Sequence, residues 1–169
     1  MGNLAFISFR RAVSDEQFTD MLQTVIRDNY DDFMQVVVAE YSDGLAWNVI
    51  VKDDVLEEGE GSTYSYSMHI FRHTNYKTGK DYKGKFAHKH MRGWAFGEWF
   101  MYQFHAHLCQ KFGAMLSDEG VSGSWKADPK TYPTVRDYLV GNYDYYRENK
   151  EGLDKWLETI PKKLREIRG

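Results

Sequence analysis

A chain of 169 residues with 42% hydrophobic content is long enough for one domain with a buried core, and too apolar to stay disordered. Its single cysteine rules out an internal disulfide and fits a reducing, cytoplasmic setting. No apolar run reaches the length of a transmembrane helix, and Met1-Gly2-Asn3-Leu4 lacks the charged-then-apolar order of a secretion signal.

The net charge of −3 conceals an uneven layout. Residues 1–71 hold 13 acids and 4 bases. Residues 72–92 hold 7 bases, namely Arg72, Lys77, Lys80, Lys83, Lys85, Lys89 and Arg92, against Asp81 alone. The rest balances at 11 of each. An acidic half and a compact basic stretch in one domain can steer a charged partner or neutralise each other.

Leu4 to Phe9 reads as a first strand with both faces covered. Ser14-Asp15-Glu16-Gln17 matches a capping box, and Phe18, Met21, Leu22, Val25 and Ile26 then form one helical stripe ending near Asn29. Phe6-Ile7-Ser8-Phe9-Arg10-Arg11 and the helix behind it resemble the opening of a TIR domain. That family continues by alternating strands with helices. Here a hairpin pattern follows, with no counterpart of the family's catalytic glutamate helix, so the resemblance ends there.

Phe33 to Tyr41 is a β-branched run, and Leu45 to Lys52 resumes it with Trp47, Val49 and Val51 on one side of the pleat. Asp43-Gly44 between them predicts a hairpin. Asp53, Asp54, Glu57, Glu58 and Glu60 then crowd carboxylates into an exposed turn. Ser62 to His73 alternates strictly: Tyr64, Tyr66, Met68 and Ile70 face one way, and Ser65, Ser67, His69 and Phe71 the other. One apolar and one polar face predict an antiparallel sheet packed on one side.

Thr74 to Gly93 reads as a long basic loop, with Lys77, Lys80, Lys83 and Lys85 among Tyr76, Tyr82 and Phe86. Trp94 to Leu116 reads as the central helix, Ser117 to Pro133 as irregular chain anchored by Trp125. A helix follows Thr134, and a last amphipath runs through Leu153, Trp156, Leu157, Ile160, Leu164 and Ile167, interrupted at Pro161. The expected architecture is a single α+β domain over residues 1–169: an antiparallel sheet of about four strands with helices on one face, in the order β-α-β-β-β-α-α-α.

All six histidines and the only cysteine lie between His69 and Leu116. His105 and His107 sit about 200° apart around a helix and cannot share a metal ion. Glu98 and His105, seven apart, stack on one side at the edge of the buried stripe, an arrangement that serves either acid–base work or a structural hydrogen bond. His69 and His73 share a strand face beside the basic stretch, where imidazoles with lysines can hold a phosphate. The paired His-x-Thr/Ser motifs of two-histidine phosphoesterases are missing, as are Walker, Gly-x-Ser-x-Gly and His-Glu-x-x-His motifs. No metal or other cofactor is implied, and Cys109 fits a packing thiol.

Two functions follow. The first is a small cytoplasmic protein-binding inhibitor: an immunity protein or antitoxin neutralising a toxin, or a phage-encoded inhibitor of a host protein. Its contacts would be Asp53, Asp54, Glu57, Glu58 and Glu60 with Trp47 and Tyr64, and a positive patch of Lys77, Lys80, Lys83 and Lys85. The expected partner is another protein, a basic toxin or enzyme, because acidic surfaces with aromatic anchors capture basic ones. A sequence pI near 6.1 argues against a nucleic-acid partner. The alternative is a phosphoesterase or nucleotide-processing enzyme using His69, His73, Glu98 and His105. It requires the histidines to converge on one pocket.

Overall fold

The computed structural model describes residues 4–41, 44–52, 67–74, 81–90, 94–118, 121–160, 162 and 166. Among these residues seven strands form one sheet: β1 Leu4–Ser8, β2 Met34–Tyr41, β3 Gly44–Val51, β4 Ser67–Thr74, β5 Asp81–His90, β6 Met115–Asp118 and β7 Val121–Ser124. Their order is β2-β3-β4-β5-β1-β6-β7, and every pairing is antiparallel. The helices are α1 Asp15–Asn29, α2 Trp94–Phe112, α3 Val135–Asn142, α4 Asp144–Glu148 and α5 Lys150–Leu157. The α+β class is as expected, and the sheet extends past the anticipated four strands.

The added strands come from stretches whose composition hides them. The basic stretch expected as a loop contains β5, which pairs with β4 on one edge and β1 on the other. Lys, Gly and His are weak strand formers, but a strand bonded on both edges takes its stability from its neighbours. The region expected as irregular after Leu116 contains β6 and β7, then a single 3-10 turn over Pro129–Thr131. The central helix stops earlier than its apolar pattern suggests. Gly113 adopts φ 68° and donates its N–H to the Cys109 carbonyl at 3.1 Å. A left-handed glycine closes a helix in this way, which frees Met115 and Leu116 for β6.

Two helices of different kinds cover one face of the sheet. α1 opens with the expected capping box: Ser14 accepts from the Gln17 N–H, and Gln17 accepts from the Ser14 N–H. Its buried stripe is Phe18, Met21, Leu22, Val25 and Ile26. Phe18 meets Trp47 of β3 edge-on at 4.9 Å between ring centroids. α2 is buried around its whole circumference: Phe96, Trp99, Phe100, Gln103, Phe104, His105, Ala106, Leu108 and Cys109 are all shut from solvent. Tyr30, the C-cap of α1, joins the two helices by packing on Phe100 and Phe104.

The far side of α2 is closed by the C-terminal segments. Trp99 donates to the Tyr132 carbonyl at 2.8 Å, Gln103 to the Pro129 carbonyl at 2.9 Å and Gln110 to the Ala127 carbonyl at 3.0 Å. α3 carries a second capping box, Thr134 with Asp137, and buries Val135 and Leu139. α5 buries Leu153, with Trp156 and Leu157 half-buried against the core. Trp125 is not an anchor to the core. It is 38% exposed, and the Arg10 guanidinium lies 4.4 Å over its ring.

Candidate functional site

Side chains alternate across a strand, so the burial of one face exposes the other. Trp47, Val49 and Val51 of β3 and Met68 and Ile70 of β4 turn toward the helices. Asn48, Ile50, His69 and Phe71, which alternate with them, are half-buried on the opposite face. Among the described residues no helix covers that face. Register aligns Val37, Asn48, His69 and Lys89 in one row across β2 to β5. His69 Nδ1 donates to the Asn48 side-chain carbonyl at 2.7 Å, and the His69 ring centroid is 5.8 Å from that of Phe71. The row is apolar at the β2 end and polar in its middle.

The β2 end of the sheet is bare. Val37 is 45% exposed and Val38 is 42% exposed. Consecutive residues point to opposite faces, so solvent reaches this strand from both sides. The signal was present in the sequence: Val36-Val37-Val38 is unbroken, and a strand covered on one face cannot bury three successive side chains.

The second constellation is polar and sealed. Glu98 is 6% exposed and accepts from two phenols, Tyr138 Oη at 3.3 Å and Tyr143 Oη. Burial, reinforced by the Glu98 carboxylate, raises both phenol pKa values well above the ordinary tyrosine range. Both tyrosines therefore stay protonated and keep donating. His105 is 1% exposed, and desolvation lowers its pKa from 6.5 to about 3, so it is neutral at physiological pH. Burial also pushes the Cys109 thiol up to about 11, which leaves little thiolate for nucleophilic chemistry. Glu98 and His105 are stacked on α2 as the spacing predicts, two turns apart. The partners that the geometry supplies to the carboxylate are phenols from α3 and its C-cap, a contact between segments some 40 residues apart that spacing along one helix cannot reveal.

Of the histidines whose side chains are described, His69 and His105 lie apart. His69 lies on the helix-free face of the sheet, while His105 is enclosed on α2 in the core on the other side. His73 is placed on β4 by its backbone, at the register shift between Arg72 and Thr74. Trp47 belongs to the core and not to a contact surface: it is fully buried, and its indole N–H donates to Thr19 Oγ1 at 2.8 Å. Lys83 and Lys85 fall on β5, with Lys85 in register with Ser8 of β1. Asp53, Asp54, Glu57, Glu58, Glu60, Tyr64, Lys77 and Lys80 lie outside the described residues. The acidic segment nevertheless has fixed ends: it leaves β3 after Val51 and returns at Ser67, which pairs with Ile50.

Arg72 was counted in the basic stretch, but its guanidinium turns to the helix side and pairs with Asp15 in the first turn of α1. Among the described residues, no group of three or more His, Cys, Asp or Glu is placed to hold a metal ion. No helix there is long and apolar enough to cross a membrane. No family model, curated protein or solved structure matches the chain.

Proposed function

We propose that this protein acts by binding and neutralising another protein, in the manner of an immunity protein or a small intracellular inhibitor. One observation carries the reading: among the described residues the helices pack on one side of the sheet, and the other side presents the half-buried Asn48, His69 and Phe71, with His69 bonded to Asn48 and its ring beside Phe71. A sheet face of mixed polarity with a few aromatic groups suits protein recognition better than it suits a small ligand, which prefers concave sites. The segment carrying Asp53, Asp54, Glu57, Glu58 and Glu60 joins β3 to β4 in the chain, and these carboxylates would supply charge complementarity to a basic partner. The sealed Glu98 and His105 fit a structural role in this reading, and the separation of His69 from His105 counts against phosphoester chemistry.

The test is a comparison of captures. The tagged protein is incubated with extract of its native host beside two variants, one with the five acids 53–60 reversed to lysine and one combining His69→Ala with Phe71→Ala. A partner retained by the wild type and lost by both variants, whose melting temperatures are unchanged, supports the reading. A partner retained equally by all three overturns it.

A further inference from the structure

Among the described residues β2 and β7 are the outer strands of the sheet, and they are built differently. β7 is 4 residues long, and its pairing with β6 shifts register between Leu116 and Asp118. Short, irregular edge strands resist pairing with another chain. β2 is 8 residues long and pairs with β3 in unbroken register from Met34↔Val51 to Tyr41↔Gly44. It contains no proline, lysine or arginine, and its only charge, Glu40, lies near one end. Its centre carries the two exposed valines, Val37 at 45% and Val38 at 42%. Among the described residues, none of the usual devices that block edge-to-edge association is present along this strand.

We propose that two copies of the chain pair antiparallel through β2, on a twofold axis at Val37, so that one sheet runs across both copies. The register follows from the hairpin. Two residues connect β2 to β3, and such a connection closes on a pair that exchanges both hydrogen bonds, here Tyr41 with Gly44. Hydrogen-bonded pairs then alternate along the ladder. Met34, Val36, Val38 and Glu40 are left to turn their N–H and C=O groups to the open edge. A second β2 that satisfies these groups sets Val36 against Val38 of the other copy, Met34 against Glu40, and Val37 against itself.

The self-pairing is favourable in charge as well as in shape. Glu40 meets Met34 and not its own copy, so no like charges stand opposite each other at the centre. Only one of the two edges is unprotected, so the association closes at two copies and does not propagate. The helix-free face stays open on both copies, which makes this inference independent of the proposed binding role.

A cysteine at position 37 tests the register directly. Across a pair that exchanges no hydrogen bonds, Cα atoms lie about 4.5 Å apart, within reach of a disulfide. Native Cys109 is buried and provides a silent background. Wild type is expected to sediment at twice the 19.9 kDa monomer mass, and Val37→Cys to oxidise to a covalent dimer. Gln35→Cys, which this register places opposite Ala39, should not cross-link to itself. Val37→Lys and Val37→Glu should each be monomeric with an unchanged circular dichroism spectrum, and mixing them should restore a heterodimer. A wild type that stays monomeric at all concentrations overturns the proposal. So does efficient cross-linking of Gln35→Cys in place of Val37→Cys, or a Val37→Lys variant that remains dimeric.

Discussion

α1 and α2 lie side by side on the same face of the sheet and are built by opposite rules. α1 has one buried stripe and a solvated back. It is held at its start by a local capping box and along its length by contact with Trp47. α2 has neighbours on every side: α1 through Tyr30, the sheet, and the segment from Ala127 to Tyr143. A helix with one neighbour announces itself by amphipathicity. A helix surrounded by protein is apolar all round, and its polar residues survive only by hydrogen bonding or by staying neutral. Among the described residues, Glu98, Gln103 and His105 are the buried polar ones, and all lie on α2.

The contrast predicts a graded series of effects. The largest should come from placing a charge on what would be the back of each helix. Ala106→Lys puts an ammonium where no surface is exposed, and should cost more than about 4 kcal/mol or prevent folding. Gln23→Lys on the exposed side of α1 should stay within about 0.5 kcal/mol of wild type. Urea denaturation of both variants measures the difference, and equal losses would break the distinction.

The next effect concerns Glu98. Glu98→Leu removes the acceptor of two phenols and should destabilise by roughly 2–3 kcal/mol, since a buried donor stripped of its partner keeps its desolvation cost. Tyr143→Phe should cost less, because Tyr138 still reaches the carboxylate. An unaltered urea midpoint for Glu98→Leu would show that the clamp contributes nothing.

His105 sets a pH dependence. Its folded pKa is depressed from 6.5 to about 3, so the unfolded chain takes up a proton that the native state refuses. The stability this residue preserves is complete above pH 6.5 and drains away as pH falls toward 3. The loss from this residue alone should be roughly 2 kcal/mol at pH 5. The acid limb of the stability curve should be shallower in His105→Gln than in wild type. Parallel limbs would sink the assignment.

The smallest loss among these destabilising changes belongs to the start of α1. Ser14→Ala removes a local cap from an exposed turn and should cost about 1 kcal/mol, with no change in the pH profile. A larger loss, read from the same melts, would mean that α1 depends on its start as much as on its stripe.

Much of the helical layer was legible because its signals are local. The capping box at Ser14, the helix start at Thr134, the stripe from Phe18 to Ile26 and the Asp43-Gly44 hairpin each rest on residues a few positions apart. β5 was obscured by lysines, although Lys83, Lys85 and Lys89 recur at spacings of two and four, in step with a strand. β6 was obscured by the apolar continuation of α2 past Gly113. On the candidate surface, Asn48, His69 and Phe71 were placed by alternation alone. Trp47 was misassigned as a contact although alternation puts it on the same side of β3 as Val49 and Val51, the side that the core buries.

The sequence by itself determined the class of the fold, the hairpin, the capped helices and the side of β3 and β4 that is buried, since all of these follow from periodicity and short-range chemistry. Only the tertiary structure decided that β1 lies inside the sheet between β5 and β6, that Glu98 is held by phenols from α3 and its C-cap, and that β2 forms an open edge. The physical reason is the same in each case. Strand neighbours and buried hydrogen bonds join residues far apart in the chain, and no local pattern records which distant segment supplies the other half of the contact.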